Sequence, residues 1–143
     1  MIQISQTKDF VSVEPQARIN NAAVTCTAAD RKNFDYAIVK LILGATDVGL
    51  TVCKLQESDD NVTFTDVSGA DFSISGVLPA STDGNKVFEW DVDLRTRKRY
   101  LRPAVTIGNG TLGAFVAVLV QLFRAEQTPA TPIARGAAQV LAV

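Results

Sequence analysis

The chain has 143 residues, of which 47% are hydrophobic and 20% are charged, with a formal net charge of −1 and no histidine. This composition is typical of one globular domain, and it argues against a disordered chain and against a global electrostatic attraction to nucleic acid or an anionic membrane. The lack of histidine excludes Ser–His–Asp and Cys–His catalytic groups and disfavours a transition-metal site.

Short apolar or alternating runs recur between turn signals along the chain, which is typical of an all-β protein. We expect strands at residues 10–13, 18–28, 34–43, 48–56, 62–67, 72–74, 87–94, 99–107 and 113–124. Glu14-Pro15 is expected to end the first of them, because proline lacks an N–H donor. About eight or nine strands without a clear helix predict an all-β, jelly-roll-like antiparallel β-sandwich with extended terminal arms, its domain covering residues 1–126.

Two of the expected strands, at residues 34–43 and 114–123, are apolar on both alternating faces. The first has two alternating sets of side chains, Ala37, Val39, Leu41 and Leu43 on one face and Tyr36, Ile38 and Ile42 on the other. One sandwich core uses only one face, so the other set needs a cover from a helix, a loop or another protein molecule. Because no segment is typical of a covering helix, we predict a homo-oligomeric β-domain in which Tyr36, Ile38 and Ile42 are candidate contacts.

The cysteines and the apolar segments indicate where the protein is made. Cys26 and Cys53 lie in apolar strand-like runs, and we expect buried free thiols in preference to a disulfide. The amino terminus has no secretory signal pattern, and the longest apolar run, residues 114–120, is shorter than the roughly 20 residues of a membrane-spanning helix. We therefore expect a soluble protein of cytoplasmic origin without a membrane partner.

A basic cluster lies between and within the strands expected at residues 87–94 and 99–107. It comprises Arg95, Arg97, Lys98, Arg99 and Arg102, with Tyr100 among them. We predict that these two strands pair as an antiparallel hairpin, so that the acidic row Glu89, Asp91 and Asp93 faces basic side chains. The alternative is that the loop arginines contact an acidic partner surface, because a guanidinium binds carboxylate or phosphate bidentately. Nucleic acid is the weaker partner, since the run contains one stacking residue.

The remaining motifs do not indicate a metal-binding, phosphate-binding or catalytic site. The acidic turn at residues 57–61 lacks the ligand order of an EF-hand loop, and the glycines at residues 108–113 predict a hairpin turn and not a phosphate loop. We predict no enzyme, metal, cofactor or small-molecule substrate, although a carboxylate pair for glycoside hydrolysis stays open. Glycan binding is the rival function, with Tyr36 and Tyr100 as its candidate platforms, because Trp90 is expected to be buried beside Phe88.

Residues 54–70, KLQESDDNVTFTDVSGA, resemble a strand–turn–strand signature of small β-sandwich proteins encoded beside the head genes of tailed bacteriophages and prophages. Residues 93–106, DLRTRKRYLRPAVT, and 113–126, GAFVAVLVQLFRAE, are similar to the rest of that pattern. The resemblance implies a capsid decoration or cement protein with a jelly-roll-like fold, bound to the major capsid protein at the virion surface. It implies no catalytic residue and no particular contact position.

Residues 127–143 are expected to form a separate, proline-spaced C-terminal arm. Pro129 and Pro132 cannot donate to a sheet, so the segment should be extended before an apolar tail. The tail is either a strap over its own domain or an arm that docks on a neighbour, and the arm is favoured because the sequence is apolar to its last residue. Its candidate contact residues are Ile133, Val140, Leu141 and Val143.

Overall fold

The computed structural model describes residues 6–19, 21–125 and 131–139, and almost all regular structure in them is β. The strands are β1 (Lys8–Arg18), β2 (Ala23–Val24), β3 (Ala29–Asp30), β4 (Tyr36–Thr46), β5 (Leu50–Ser58), β6 (Thr65–Asp71), β7 (Lys86–Asp93), β8 (Tyr100–Ile107) and β9 (Ala114–Phe123). Single 3-10 turns occur at Leu94–Thr96 and Ile133–Arg135. The all-β fold expected from the sequence is confirmed.

The strands form two antiparallel sheets. Sheet A has the order β1-β9-β4-β7, and sheet B has the order β2-β8-β5-β6 with β3 also paired to β8. Taken as two pieces of one interrupted strand, β2 and β3 bring the count to eight strands. Their order is then that of a jelly roll, in which every connection except the β5–β6 hairpin crosses from one sheet to the other.

The core lies between the sheets and contains one alternating set of side chains from each central strand. From sheet A the fully buried set is Val39, Leu41, Leu43, Val116, Val118, Val120 and Leu122, each at most 1% exposed. Cys53, Leu55, Leu101 and Ile107 of sheet B complete it, also at most 1% exposed. The predicted alternation of residues 36–43 is confirmed. So is the burial of Trp90, whose indole Nε1 donates to the Ala70 carbonyl oxygen at 3.2 Å.

The amino-terminal strands differ from the prediction. β1 continues through Pro15 to Arg18, and the single strand expected at residues 18–28 is replaced by the two-residue strands β2 and β3. β1 is the edge of sheet A, and its pairing with β9 shifts register between Val13 and Gln16. Proline is tolerated there because an irregular edge strand does not require its missing donor.

The prediction of a strand at residues 72–74 is also wrong, because this segment forms a turn. The Asp71 carboxylate accepts hydrogen bonds from the amide and the hydroxyl of Ser73, at 2.8 and 2.6 Å. Such a side-chain bond to the backbone two residues onward stabilises a turn at the expense of an extended strand. At residues 62–64 the chain is likewise outside the strands, and β6 starts at Thr65.

Two expected hairpins are instead connections between the sheets. β7 belongs to sheet A and β8 to sheet B, so the acidic row of β7 does not face the basic row of β8. The turn at residues 108–113 likewise links β8 to β9 across the sandwich. The Asp47 carboxylate secures this corner by accepting the amides of Thr111, Leu112 and Gly113, each at 2.8 Å, which lowers its pKa.

Candidate functional site

The outer face of sheet A is apolar over much of its area. β9 and β4 are its central strands, and the register aligns Val11 with Leu119 and Ile42 with both Ala117 and Val87. We call this surface the apolar face, formed by Val11, Ile38, Ile42, Val87, Phe115, Ala117 and Leu119. Four of its side chains are strongly exposed: Val11 by 53%, Ile42 by 44%, Val87 by 55% and Phe115 by 43%.

The outer face of sheet B is polar. Gln56 accepts from the Arg102 guanidinium at 3.0 Å, and Asp66 accepts from Gln56 at 2.9 Å and from Lys54 at 2.6 Å. The Arg102 guanidinium also lies 3.6 Å from the centre of the Phe64 ring. These contacts pair the side chains of Lys54, Gln56, Asp66 and Arg102 within the chain. The two outer faces therefore differ in chemistry, since that of sheet A exposes aliphatic and aromatic side chains.

The free energy that a partner gains by covering the apolar face can be worked out from the exposed side chains. Fully burying an aliphatic or aromatic side chain contributes about 1.5–3 kcal/mol, so covering the exposed halves of Val11, Ile42, Val87 and Phe115 contributes about 3–6 kcal/mol. Association itself costs about 4–15 kcal/mol in lost freedom of motion. A stable complex on this face therefore requires a partner that also buries apolar surface of its own.

Charged side chains interrupt the apolar face. Lys40 lies between Ile38 and Ile42 on β4 and pairs with Glu89 of β7 at 3.7 Å, and Gln121 donates to Asp9 at 3.1 Å. Asp91 lies in register with Ile38, beside a shallow depression of about 460 Å³ that Tyr36 and Phe123 also line. The predicted contacts Tyr36, Ile38 and Ile42 therefore share one face, with Tyr36 at its end.

Each of the predicted basic contacts is paired with a side chain of this chain. The pairs are Arg95 with Asp93 at 2.6 Å, Arg97 with Glu57 at 3.5 Å, Lys98 with Asp59 at 3.9 Å, Arg99 with Asp30 at 2.7 Å and Arg102 with Gln56 at 3.0 Å. The Arg95 guanidinium holds the pKa of Asp93 at about 2, and that of Arg99 lowers the pKa of Asp30. The partners come from β3, β5 and β7 and from the turn after β5.

Two residues that sequence reasoning missed fix the connection between β7 and β8. Arg31 donates to the carbonyl oxygens of Arg97 at 2.7 Å and of Lys98 at 3.1 Å, and the Glu57 carboxylate accepts the amide of Lys98 at 3.1 Å. These partners lie about 40 and 66 positions away along the chain. No local pattern identifies them, because the contact exists only once β3, β5 and β8 are assembled in sheet B.

The two tyrosines considered for glycan binding lie in different sheets. Tyr36 is on β4, where the Arg95 and Arg124 guanidinium carbons lie 5.0 and 5.5 Å from its ring centre. Tyr100 is on β8, paired with Asp30 and 5.1 Å from the Arg99 guanidinium carbon. The tyrosines therefore do not share a sugar platform.

The acidic turn after β5 uses its oxygen atoms to hold its own backbone. One Asp60 carboxylate oxygen accepts from the Ser58 hydroxyl at 2.8 Å and from the amides of Val62 and Thr63 at 2.9 and 2.8 Å. These bonds lower the pKa of Asp60 to about 2. Among residues 6–19, 21–125 and 131–139, no three Cys, Asp or Glu side chains are placed to bind a metal ion together.

Both cysteines are free thiols, as predicted. Cys53 is buried, and desolvation raises its pKa to about 12, whereas Cys26 is half-buried with its pKa also raised by desolvation. No helix in the described part of the chain is long and apolar enough to span a bilayer.

Residues 131–139 lie beside β1 of the same chain. Gly136 has a φ of +74° and sits so close to Asp9 that a Cβ atom there would overlap the Asp9 carbonyl oxygen. A 3-10 turn occupies Ile133–Arg135, where an extended conformation was expected, and Ile133 is 83% exposed. Val140, Leu141 and Val143 lie outside the described residues.

Comparison of the sequence with protein-family models and with curated proteins finds no match to either.

Proposed function

We propose that this protein is a non-enzymatic structural component of a virion, a decoration or cement protein that stabilises a bacteriophage capsid from its outer surface. The apolar face of sheet A carries the proposal. A largely apolar surface that is crossed by the Lys40–Glu89 pair and leaves Val11, Ile42, Val87 and Phe115 about half exposed is a typical protein-contact surface. The resemblance of residues 54–70 and 93–126 to phage head-associated sandwiches points to the shell as the partner.

In this proposal the major capsid protein and like subunits share the apolar surface. Closed symmetry repeats each contact, so a patch of modest area on one copy supports a stable assembly when several copies bind together. The carboxyl-terminal tail, including Ile133, Val140, Leu141 and Val143, is the second contact, and Tyr36 with Arg95 and Arg124 borders the first.

The experiment is co-sedimentation of the purified protein with capsids assembled without it. We expect saturable binding at a fixed ratio to the major capsid protein, weakened by removal of residues 132–143. Full binding by the truncated protein would reject the tail contact and leave the sheet contact. Failure of the intact protein to sediment with capsids at any concentration would reject the shell function itself.

Glycan binding is the alternative function. Saturable binding on a glycan array that Tyr36→Ala or Tyr100→Ala abolishes would replace the shell proposal with a glycan-binding module. Because the two tyrosines lie in different sheets, one variant would have to abolish binding while the other leaves it intact.

A further inference from the structure

β7 is the last strand of sheet A, and one edge of its backbone faces away from the sheet. The Leu94 amide donates to the Asp35 carbonyl oxygen at 2.8 Å. This bond shows that the backbone groups of Leu94 point toward the chain of β4. Backbone groups alternate direction along a strand, so those of Val92 and Trp90 point toward β4. Those of Asp91 and Glu89 therefore point outward, where they offer donors and acceptors to another strand.

A groove of about 500 Å³ runs beside this free edge. Its far wall is the irregular part of β6, where the pairing with β5 shifts between Lys54 and Gln56 and Gly69 has a φ of +79°. Phe72 and the edge of Trp90 supply apolar surface to the groove, beside polar side chains such as Ser75 and Asp71. Its volume and its mixed lining suit the inward side chains of a short extended segment.

The side chains on the outer side of β7 are acidic: Glu89, Asp91 and Asp93. Asp93 is neutralised by Arg95 and Glu89 is paired with Lys40, whereas Asp91 lies in register with the apolar Ile38. A second copy of β7 pairing at this edge would place carboxylates opposite carboxylates, which is destabilising. A strand with basic side chains at the same positions would instead form favourable cross-strand pairs.

We propose that the free edge of β7 binds an extended peptide segment of a partner protein in which basic and apolar residues alternate. The segment adds a strand to sheet A. Its basic side chains lie beside Asp91 and Glu89 on the outer face, and its apolar side chains enter the groove next to Trp90. This mode of binding draws affinity from main-chain hydrogen bonds and specificity from alternate side chains. The site adjoins the apolar face, since Val87 lies on the same strand and Asp91 is in register with Ile38, but it does not depend on the shell function.

The test uses the full chain and a short acetylated peptide of alternating lysine and valine. Trp90 is the only tryptophan, so its fluorescence reports occupancy of the groove directly, and calorimetry gives the affinity. We expect saturable binding that weakens as salt is raised, while a peptide of alternating glutamate and valine does not bind. Absence of binding by the lysine peptide at millimolar concentration would overturn the proposal.

Protein variants then locate the site. Asp91→Asn should weaken binding about two- to fivefold, as expected for one cross-strand ion pair, and Asp91→Lys should weaken it more. Asp59→Lys is the matched control, because it makes the same charge change at an exposed carboxylate in the β5–β6 turn. Equal effects of Asp91→Lys and Asp59→Lys would show nonspecific charge attraction and would overturn the proposal.

Peptide variants test the strand geometry without any change to the protein. N-methylation removes a backbone donor, and only every second amide of an added strand faces β7. We expect methylation of one alternating set to abolish binding and methylation of the other set to leave it intact. Equal binding by both methylated peptides would exclude strand addition.

Discussion

Val87→Lys tests whether the apolar face binds the partner. Val87 is 55% exposed on β7 and aligned with Ile42, so a partner that covers the face removes about half of its surface from water. Half of the 1.5–3 kcal/mol gained by fully burying such a side chain is about 0.8–1.5 kcal/mol, or about four- to twelvefold in affinity. Placing an ammonium group at the contact adds a desolvation cost, so we expect at least tenfold weaker binding.

The matched control is Val77→Lys. Val77 is 56% exposed, close to the 55% of Val87, but it lies in the connection between β6 and β7, away from the apolar face. Both variants are compared by sedimentation velocity over a concentration series and by capsid co-sedimentation, with thermal unfolding as the check on folding. Equal binding by the two variants would refute the assignment of the apolar face as a contact surface.

Three further outcomes follow from the geometry. Gly113→Ala should destabilise the fold by about 2–5 kcal/mol in urea unfolding, because Gly113 combines a φ of +78° with overlap against the Arg18 carbonyl oxygen. Gly76 has a φ of +73° but no atom within 4 Å of an added Cβ, so Gly76→Ala should lower the free energy of unfolding only by the cost of the left-handed backbone, about 1–2 kcal/mol. Cys53 should resist alkylation at pH 8 in the native protein and react in urea, since burial raises its pKa to about 12; rapid native labelling would contradict its placement. The folded-state pKa of Asp60, about 2, lies below the ordinary value of about 4. Its ionised form therefore stabilises the fold above about pH 4 and loses this effect as the pH falls toward 2, so the urea midpoint should depend less on pH over this range in Asp60→Asn.

The sequence was sufficient to predict which side chains of a strand point inward, because this depends only on the local period of two. Alternation assigned Val39 and Leu41 to the core and Ile38 and Ile42 to the outside, and it placed Trp90 in the interior. These assignments hold because the period of two is a property of each strand by itself. It was also sufficient for the β5–β6 hairpin, whose turn is stabilised by nearby side chains such as Ser58 and Asp60.

Which sheet a strand joins could not be predicted in the same way. β7 and β8 follow each other along the chain and carry opposite charges, yet they lie in different sheets. The backbone at residues 97–98, between the two strands, is held by Arg31 and Glu57, which are remote in sequence. These hydrogen bonds form only once the strands of sheet B are assembled, so no local turn pattern predicts them.

The pairing of the two strands that are apolar on both faces is what gives sheet A its unusual outer surface. β4 and β9 are adjacent at the centre of the sheet, so the surplus apolar side chains of both strands merge into one surface. Had the strands joined different sheets, each outer face would carry a narrow apolar stripe flanked by polar neighbours, which is common on monomers. The outer strands add to this surface: β1 pairs with β9 and contributes Val11, and β7 pairs with β4 and contributes Val87. The adjacency of two such strands therefore turns two ordinary stripes into one broad surface with partly exposed apolar side chains.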